Sequence, residues 1–263
     1  NVAMSVEEVE REIFSKIDDW RGAMRVYRDS GEKPLGSKGY DYLLRALHKG
    51  RQWENCVRIL RKMVDERVDV LETSYLSILL AIEKSRNIPL ALTILEEMQR
   101  SNPRPSHPLL LSCTTRILAK GGRILEALNA FEEMKALGFK PNKFTLCALM
   151  TACTRAGKSG KALRLFEQTE ELNIQRDLFI YSSAISACAN LENWRDAIRL
   201  FEQMKRDRIR PDEISFNSLI TACEKSQKWT LALRYLRLMP QYGIKPSVVA
   251  YSAAMSACVP EGE

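Results

Sequence analysis

No apolar run in this 263-residue chain approaches the ~18 residues that a bilayer-crossing helix needs, so no membrane insertion is expected. Histidine is almost absent, with only His48 and His107, and the seven cysteines include no CxxC pair. Zinc ribbons, thioredoxin-type redox motifs and zinc deaminase signatures are therefore poor fits, and an odd cysteine count ill suits a disulfide framework. Nor does one sign of charge dominate: Lys and Arg outnumber Asp and Glu by 40 to 33, a net +7 that permits a polyanionic partner without requiring one. With 45% hydrophobic and 28% charged residues, the composition suits a soluble folded chain.

The first residue is Asn1 rather than Met, and the first twenty positions carry several acidic groups, unlike a signal or transit peptide. The expectation is a leader removed earlier or a portion of a longer protein.

What the chain does have is a period. Cys153, Cys188, Cys223 and Cys258 are 35 residues apart, as are Trp194 and Trp229, and Met63, Met98, Met134, Met204 and Met239 step by 35, 36, 70 and 35. The repeats run 4–36, 37–71, 72–107, 108–142, 143–177, 178–212 and 213–247, with a partial repeat at 248–263. Alanine recurs at the tenth place (Ala46, Ala81, Ala152, Ala187, Ala222, Ala257) and the twentieth (Ala23, Ala91, Ala127, Ala162, Ala197, Ala232), where a small side chain lets two helices approach. Apolar residues fall at helical spacing in two blocks per repeat, and Pro141, Pro211 and Pro246 stand one residue and Pro105 two residues before repeat ends, where they are expected to stop the second helix. Each repeat therefore predicts a helical hairpin that must stack on its neighbours, giving an all-α array over 4–263. The partial repeat leaves an open apolar end for a continuation or a capping partner.

The run Asp212-Glu213-Ile214-Ser215-Phe216-Asn217-Ser218-Leu219-Ile220, followed by Ala232-Leu233 and Met239, resembles the pentatricopeptide repeat family, as do Ala119-Lys120-Gly121-Gly122-Arg123 and Phe131-Glu132-Glu133-Met134-Lys135. The likeness is strongest from 108 to 258 and is to the P-type array without an appended catalytic domain. It implies a right-handed α-solenoid superhelix of about seven and a half repeats. It also implies an organellar protein, in mitochondrion or plastid, that binds single-stranded RNA at one base per repeat.

In this family the second residue of each repeat stacks on a base, and here those residues are Leu109, Phe144, Phe179, Ile214 and Val249. The same residues also fit as core groups opening a helix. The first three repeats offer Ser5, Lys38 and Thr73, which cannot stack. The fifth and last residues face the base edge in the family, a hydroxyl favouring purines and Asn favouring pyrimidines. A last-place carboxylate accepts a ring N–H of guanine or uracil, while an amide donates to adenine or cytosine. Ser112 with Asn142 then resembles an adenine reader, Ser182 with Asp212 a guanine reader, and Asn217 with Ser247 a cytosine reader. Cys147 with Asp177 departs from the pattern and leaves its base open; Ser252 is the fifth residue of the partial repeat. Asp41 with Leu71, and Leu76 with Ser106 or His107, fit no base, so the early repeats are expected to be spacers or a surface for another partner.

A further periodic feature comes from the residues themselves. The thirteenth place is Lys16, Lys49, Lys84, Lys120, Arg155 and Lys225, with Asn190 the exception. A cation there serves the helix dipole, and it also suits a phosphate backbone; Lys120, Arg155 and Lys225, which coincide with apolar second residues, are the candidate phosphate contacts. The cysteines at the eleventh place read as core, the two histidines as surface residues, and Glu132-Glu133 and Glu170-Glu171 as a solvated outer face. No nucleophile, base and metal set appears, so neither an enzyme nor a cofactor or small-molecule substrate is expected. The leading expectation is RNA processing, stability or translation. The alternatives are a structural subunit of an organellar ribonucleoprotein such as the mitochondrial ribosome, contacting rRNA and proteins, and, third, a tetratricopeptide-like peptide scaffold. Three legible bases match by chance about once in 64 positions, too few for selecting a transcript, so further protein partners in a larger complex are expected.

Overall fold

The computed structural model describes residues 4–101 and 107–259, and among them every regular element is helical. The first helices of successive repeats are α1 (Val6–Ser15), α3 (Ser37–Lys49), α5 (Glu72–Lys84), α7 (Pro108–Lys120), α9 (Lys143–Arg155), α11 (Leu178–Asn190), α13 (Glu213–Lys225) and α15 (Val248–Ser256). Between them come α2 (Trp20–Asp29), α4 (Trp53–Asp65), α6 (Ile88–Ser101), α8 (Ile124–Ala136), α10 (Ser159–Glu171), α12 (Trp194–Arg206) and α14 (Trp229–Leu238), the last continued by a 3-10 turn at Met239–Tyr242. From the second repeat on, each first helix starts on the residue that opens its repeat. The first repeat differs: Ser5 caps α1 through Glu8 in a reciprocal capping box, so Ser5 holds the place of a preceding repeat's last residue and not a second place.

Contacts divide the expected array into two compact bodies, Asn1–Gly121 with Asn129–Phe139, and Gly122–Leu128 with Lys140–Glu263. Pro105 and Ser106, and 260–263 at the close of the partial repeat, lie outside the described residues.

Within the N-terminal body α3 packs on α1, α2, α4 and α5, and α5 on α6 and α7. In the C-terminal body α11 packs on α9, α10, α12 and α13, and α13 on α14 and α15. Close approach rests on the alanines: Ala46, Ala187, Ala222, Ala23, Ala91, Ala162, Ala197 and Ala232 are all fully buried. Around them an aromatic ladder runs through the C-terminal body, with edge-on pairs Phe166–Tyr181 at 5.5 Å, Phe201–Phe216 at 5.0 Å and Phe216–Tyr242 at 5.4 Å. The Tyr181 hydroxyl donates to Asp207, as the Tyr40 hydroxyl does to Glu66 in the N-terminal body, tying each first helix to the end of its own hairpin.

Two left-handed residues punctuate the repeats. One follows the first helix (Arg51, Arg86, Gly122, Gly157, Glu192, Gln227) and the other follows the second (Arg67, Gly138, Asn173, Arg208, Gly243). Most of them reverse the chain so that a later amide closes on the helix's last turn, as Asn193 N does on Cys188 O at 3.0 Å and Ile209 N on Met204 O at 3.0 Å. The second helix thus ends before Pro141 or Pro211 is reached. Those prolines are buried in the extended link to the next helix, and the expectation that they stop the helix is corrected.

Cys153, Cys188 and Cys223 are fully buried, and burial pushes the Cys188 thiol up to about 12 and that of Cys223 up to about 11. Cys258, expected with them in the core, is exposed, because no helix lies beyond α15 among the described residues. The two histidines are half-buried and not surface residues, each with a buried Nδ1 that finds no partner among the described residues.

Two measurements test this packing. Phe201→Ala should lower stability by about 3–5 kcal/mol in urea titrations, and a loss below ~1 kcal/mol would place the core elsewhere. Alkylation at pH 8 should modify Cys258 in the native protein and Cys188 and Cys223 only on unfolding; equal rates for all three would contradict the burial.

Candidate nucleic-acid interface

At 3.6 residues per turn, places two, five, nine and thirteen of a first helix fall within about 80° of one another, forming one stripe down the helix. The structure decides what that stripe faces. Leu109 is 57% exposed, Phe144 66%, Phe179 67%, Ile214 58% and Val249 59%. They are therefore not core residues that open a helix. Five apolar side chains stand in solvent at one repeat place, which is costly unless something covers them.

The fifth places are set deeper. Ser182 is buried; its Oγ donates to Leu178 O at 2.7 Å and lies 2.9 Å from Ser215 Oγ and 3.5 Å from Asp212 Oδ1. Asn217 Nδ2 donates to Ser247 Oγ at 3.3 Å, while its amide oxygen is buried with no partner among the described residues. An orphaned acceptor costs roughly 1–3 kcal/mol, a cost that a donor reaching this oxygen would offset. Cys147 is half-buried beside Thr151 and Ser183, and burial pushes its thiol up, leaving it neutral and a weak donor. Ser112 is buried in the N-terminal body against Met134, with Oγ 3.5 Å from the sulfur, and Ser252 is exposed on α15.

The last residues turn out to have a structural task. Asn142, Asp177, Asp212 and Ser247 are each the N-cap of the helix that follows, accepting from Thr145 N at 2.9 Å, Ile180 N at 3.1 Å, Ser215 N at 2.8 Å and Ala250 N at 3.4 Å. The two carboxylates among them, Asp177 and Asp212, cap through Oδ1, which holds the side chain still, and Asp177 keeps Oδ2 for Lys143. Gly36, Leu71 and His107, at the same place in the early repeats, make no side-chain cap.

The thirteenth places divide. Arg155 and Lys225 are exposed and have no ion-pair partner among the described residues. Lys120 instead pairs with Glu83 at 2.8 Å, beside Arg116, whose Nη2 reaches the same carboxylate at 2.7 Å. Burial pushes the Glu83 carboxyl up, but the hydrogen bonds from Arg116 and Lys120 outweigh it and hold its pKa below the ordinary value. Lys16 and Lys49 are also paired, with Glu12 at 2.8 Å and with Asp18. At the fifth place of the second repeat, Asp41 is buried and takes Thr73 Oγ1 at 2.7 Å, Ser74 Oγ at 2.9 Å and Arg45 at 2.8 Å. Most polar groups of the early stripe are thus committed to one another, whereas Lys84 is exposed with no ion-pair partner among the described residues.

Residue-by-residue reading of the sequence missed the ninth-place hydroxyls. Thr151 meets Ser183 at 3.3 Å and Ser186 meets Ser218 at 2.6 Å, linking α9 to α11 and α11 to α13. Their signal was available, since Thr151, Ser186, Thr221 and Ser256 recur every 35 residues.

The model of the pentatricopeptide repeat domain matches residues 129–172 and 164–226, that of the PPR repeat family 211–259, and that of the PPR repeat 116–139, together more than half of the chain. The chain belongs to the pentatricopeptide repeat family. Among its relatives is an Arabidopsis thaliana pentatricopeptide repeat-containing protein named as mitochondrial, 31% identical over 108 residues, which are 40% of this chain and 21% of that one. A second one from the same plant, also named as mitochondrial, is 32% identical over 130 residues, 48% of this chain and 19% of that one. The chain spans about a fifth of the length of these relatives. Among solved structures, the pentatricopeptide repeat protein PPR10 in complex with an 18-nucleotide psaJ RNA element matches with a TM-score of 0.73 at 23% identity, over 97% of this chain and 38% of that one. That likeness is one of fold: this chain is built from the same kind of α-helical repeats.

The capping geometry separates two roles that one side chain can hold. Asp212→Ala should cost about 1 kcal/mol, whereas Asp212→Asn should keep the cap and nearly all the stability. Equal destabilisation by both, read by thermal or urea unfolding, would show that the charge and not the cap is what α13 needs.

Proposed function

We propose that the chain binds single-stranded RNA through the first-helix stripes of its C-terminal body, on α9, α11, α13 and α15, with α7 of the N-terminal body carrying residues of the same kind. The observation that carries this reading is the exposure of every apolar second place, Phe144, Phe179, Ile214 and Val249 in the C-terminal body and Leu109 in the N-terminal one, which suits base stacking and no interior role. Beside them, capped Asp177 and Asp212 and the pairs Ser182–Asp212 and Asn217–Ser247 supply edge-facing groups, and exposed Arg155 and Lys225 supply cations for phosphates. The RNA bound to PPR10 and the mitochondrial names of the Arabidopsis relatives support an RNA-processing, stability or translation role in a mitochondrion. The specific readings are adenine for Ser112 with Asn142, guanine for Ser182 with Asp212 and cytosine for Asn217 with Ser247.

A second reading, a structural subunit of an organellar ribonucleoprotein that contacts proteins or rRNA, is favoured by the early repeats. There Asp41 holds Arg45, and Lys16 and Lys49 are paired with Glu12 and Asp18, leaving fewer cations for a nucleotide backbone.

Selection from a randomised single-stranded RNA pool at low salt should enrich A-N-G-C in the order of the repeats. Absence of retention, or equal competition by duplex RNA, would sink the base-reading proposal. Ser182→Asn should move the preference at its position from guanine toward uracil, and an unchanged preference means that the pair reads no base. Arg155→Gln and Lys225→Gln should each flatten the slope of log K against log salt by about 0.7, and Lys120→Gln, already held by Glu83, by less.

A further inference from the structure

The fifth repeat does not fit the pattern of its neighbours. Its fifth residue is Cys147, whose thiol lies against Thr151 and Ser183 and is a weak donor, so the hydroxyl that Ser182 offers one repeat later has no strong counterpart here. Yet the repeat keeps an exposed aromatic platform, Phe144, and a capped carboxylate, Asp177. A donor is needed if this repeat is to recognise more than a base's flat face.

Lys143 is in the right place. It opens the repeat, where the other full repeats from the second on carry Ser37, Glu72, Pro108, Leu178 and Glu213, none of them cationic. Its Nζ lies 3.3 Å from Asp177 Oδ2, the oxygen left over from capping α11, and 5.3 Å from the centroid of the Phe144 ring. Elsewhere in the C-terminal body the ion pairs Arg123–Glu126, Arg176–Glu170, Arg199–Asp196 and Lys205–Glu202 each stay within a short stretch of chain. The Lys143–Asp177 pair instead joins the starts of α9 and α11, beside the stacking platform. Lys143 and Asp177 side chains are 48% and 33% exposed, so the pair is open to a ligand and loses little when water or a base intervenes.

The chemistry of the pair is directional. A carboxylate that only accepts lies next to an ammonium that only donates. Their complement is a ring N–H beside a carbonyl oxygen, which guanine presents as N1–H and O6 and uracil as N3–H and O4. Adenine and cytosine reverse both groups, setting an amino group against the ammonium and a bare ring nitrogen against the carboxylate. We propose that Lys143 is a specificity-determining residue which, with Asp177, makes the fifth repeat select a keto base, guanine or uracil, over adenine and cytosine. This rests on the RNA-binding reading above: the family pattern already ties a last-place carboxylate such as Asp177 to guanine or uracil, and what Lys143 adds is the donor to the carbonyl oxygen that Cys147 does not supply.

The test uses the full chain and four single-stranded RNAs that differ only at N in A-N-G-C. Wild type should bind the guanine and uracil RNAs roughly tenfold more tightly than the other two. Lys143→Met should shrink that gap severalfold, and Lys143→Arg, which keeps a donor, should preserve it. A Lys143→Met loss shared equally by all four RNAs would show that Lys143 serves only phosphate attraction, and no change at all would show that it does not meet the RNA; either overturns the inference. Failure of wild type to bind any of the four defeats the RNA reading itself, and this inference with it.

Discussion

The structure depends on one constraint: the tenth and twentieth places of the repeats are buried where helices pack, and in most repeats both are Ala. Ala187 with Ala197, and Ala222 with Ala232, are fully buried, and the aromatic ladder through Phe201 and Phe216 fills the space that their close approach defines. A hairpin with one apolar face cannot satisfy itself, so each repeat is completed by the next. Where no further helix follows α15 among the described residues, the same places open to solvent: Tyr251 is 51% exposed although its counterparts Tyr181 and Phe216 are fully buried.

Stacking also explains why one face of the first helices is left for other work. The seams take up the small and aromatic residues, while places two and thirteen of the C-terminal first helices are mostly turned outward and the fifth places are set deeper beside them. The chemistry of the stripe changes along the chain. In the N-terminal body, Asp41 and Glu83 draw in Arg45, Arg116 and Lys120. In the C-terminal body, apolar platforms, hydroxyl pairs and uncommitted cations take their place. Ion pairs of this kind add little stability where they are exposed, so their main effect is to decide which parts of the stripe are available to a charged partner.

The candidate base-reading residues show how one residue type serves two ends. Asn, Asp and Ser are both the best helix caps and good partners for a base edge. Capping uses one oxygen of Asp212 and fixes the side chain, so a bound base meets a group that has already lost its rotamer freedom. The same fact kept the site only half legible in the sequence, because an Asp at a repeat end is explained equally well by its helix.

Period and hairpin plan were legible because a 35-residue spacing of Cys, Trp, Ala and Met leaves few alternatives, and a first and a second helix alternate along the described residues. The signals that misled were local ones. Pro141 and Pro211 looked like helix stops, while the reversal is made earlier by Gly138 and Arg208, whose left-handed backbone no residue type announces when it is Arg. Phe144 and Phe179 could belong to core or surface, since a helix presents an apolar side chain to either until its neighbours are placed. Lys120 and Arg155 are equivalent by period, yet only the first finds Glu83 within reach. Sequence alone therefore determined the repeat, its length and its composition of small and apolar places, because those follow from local periodicity. Tertiary structure decided which of those residues face solvent, which charges cancel and which remain free, because these depend on distances between residues some 30 or more positions apart.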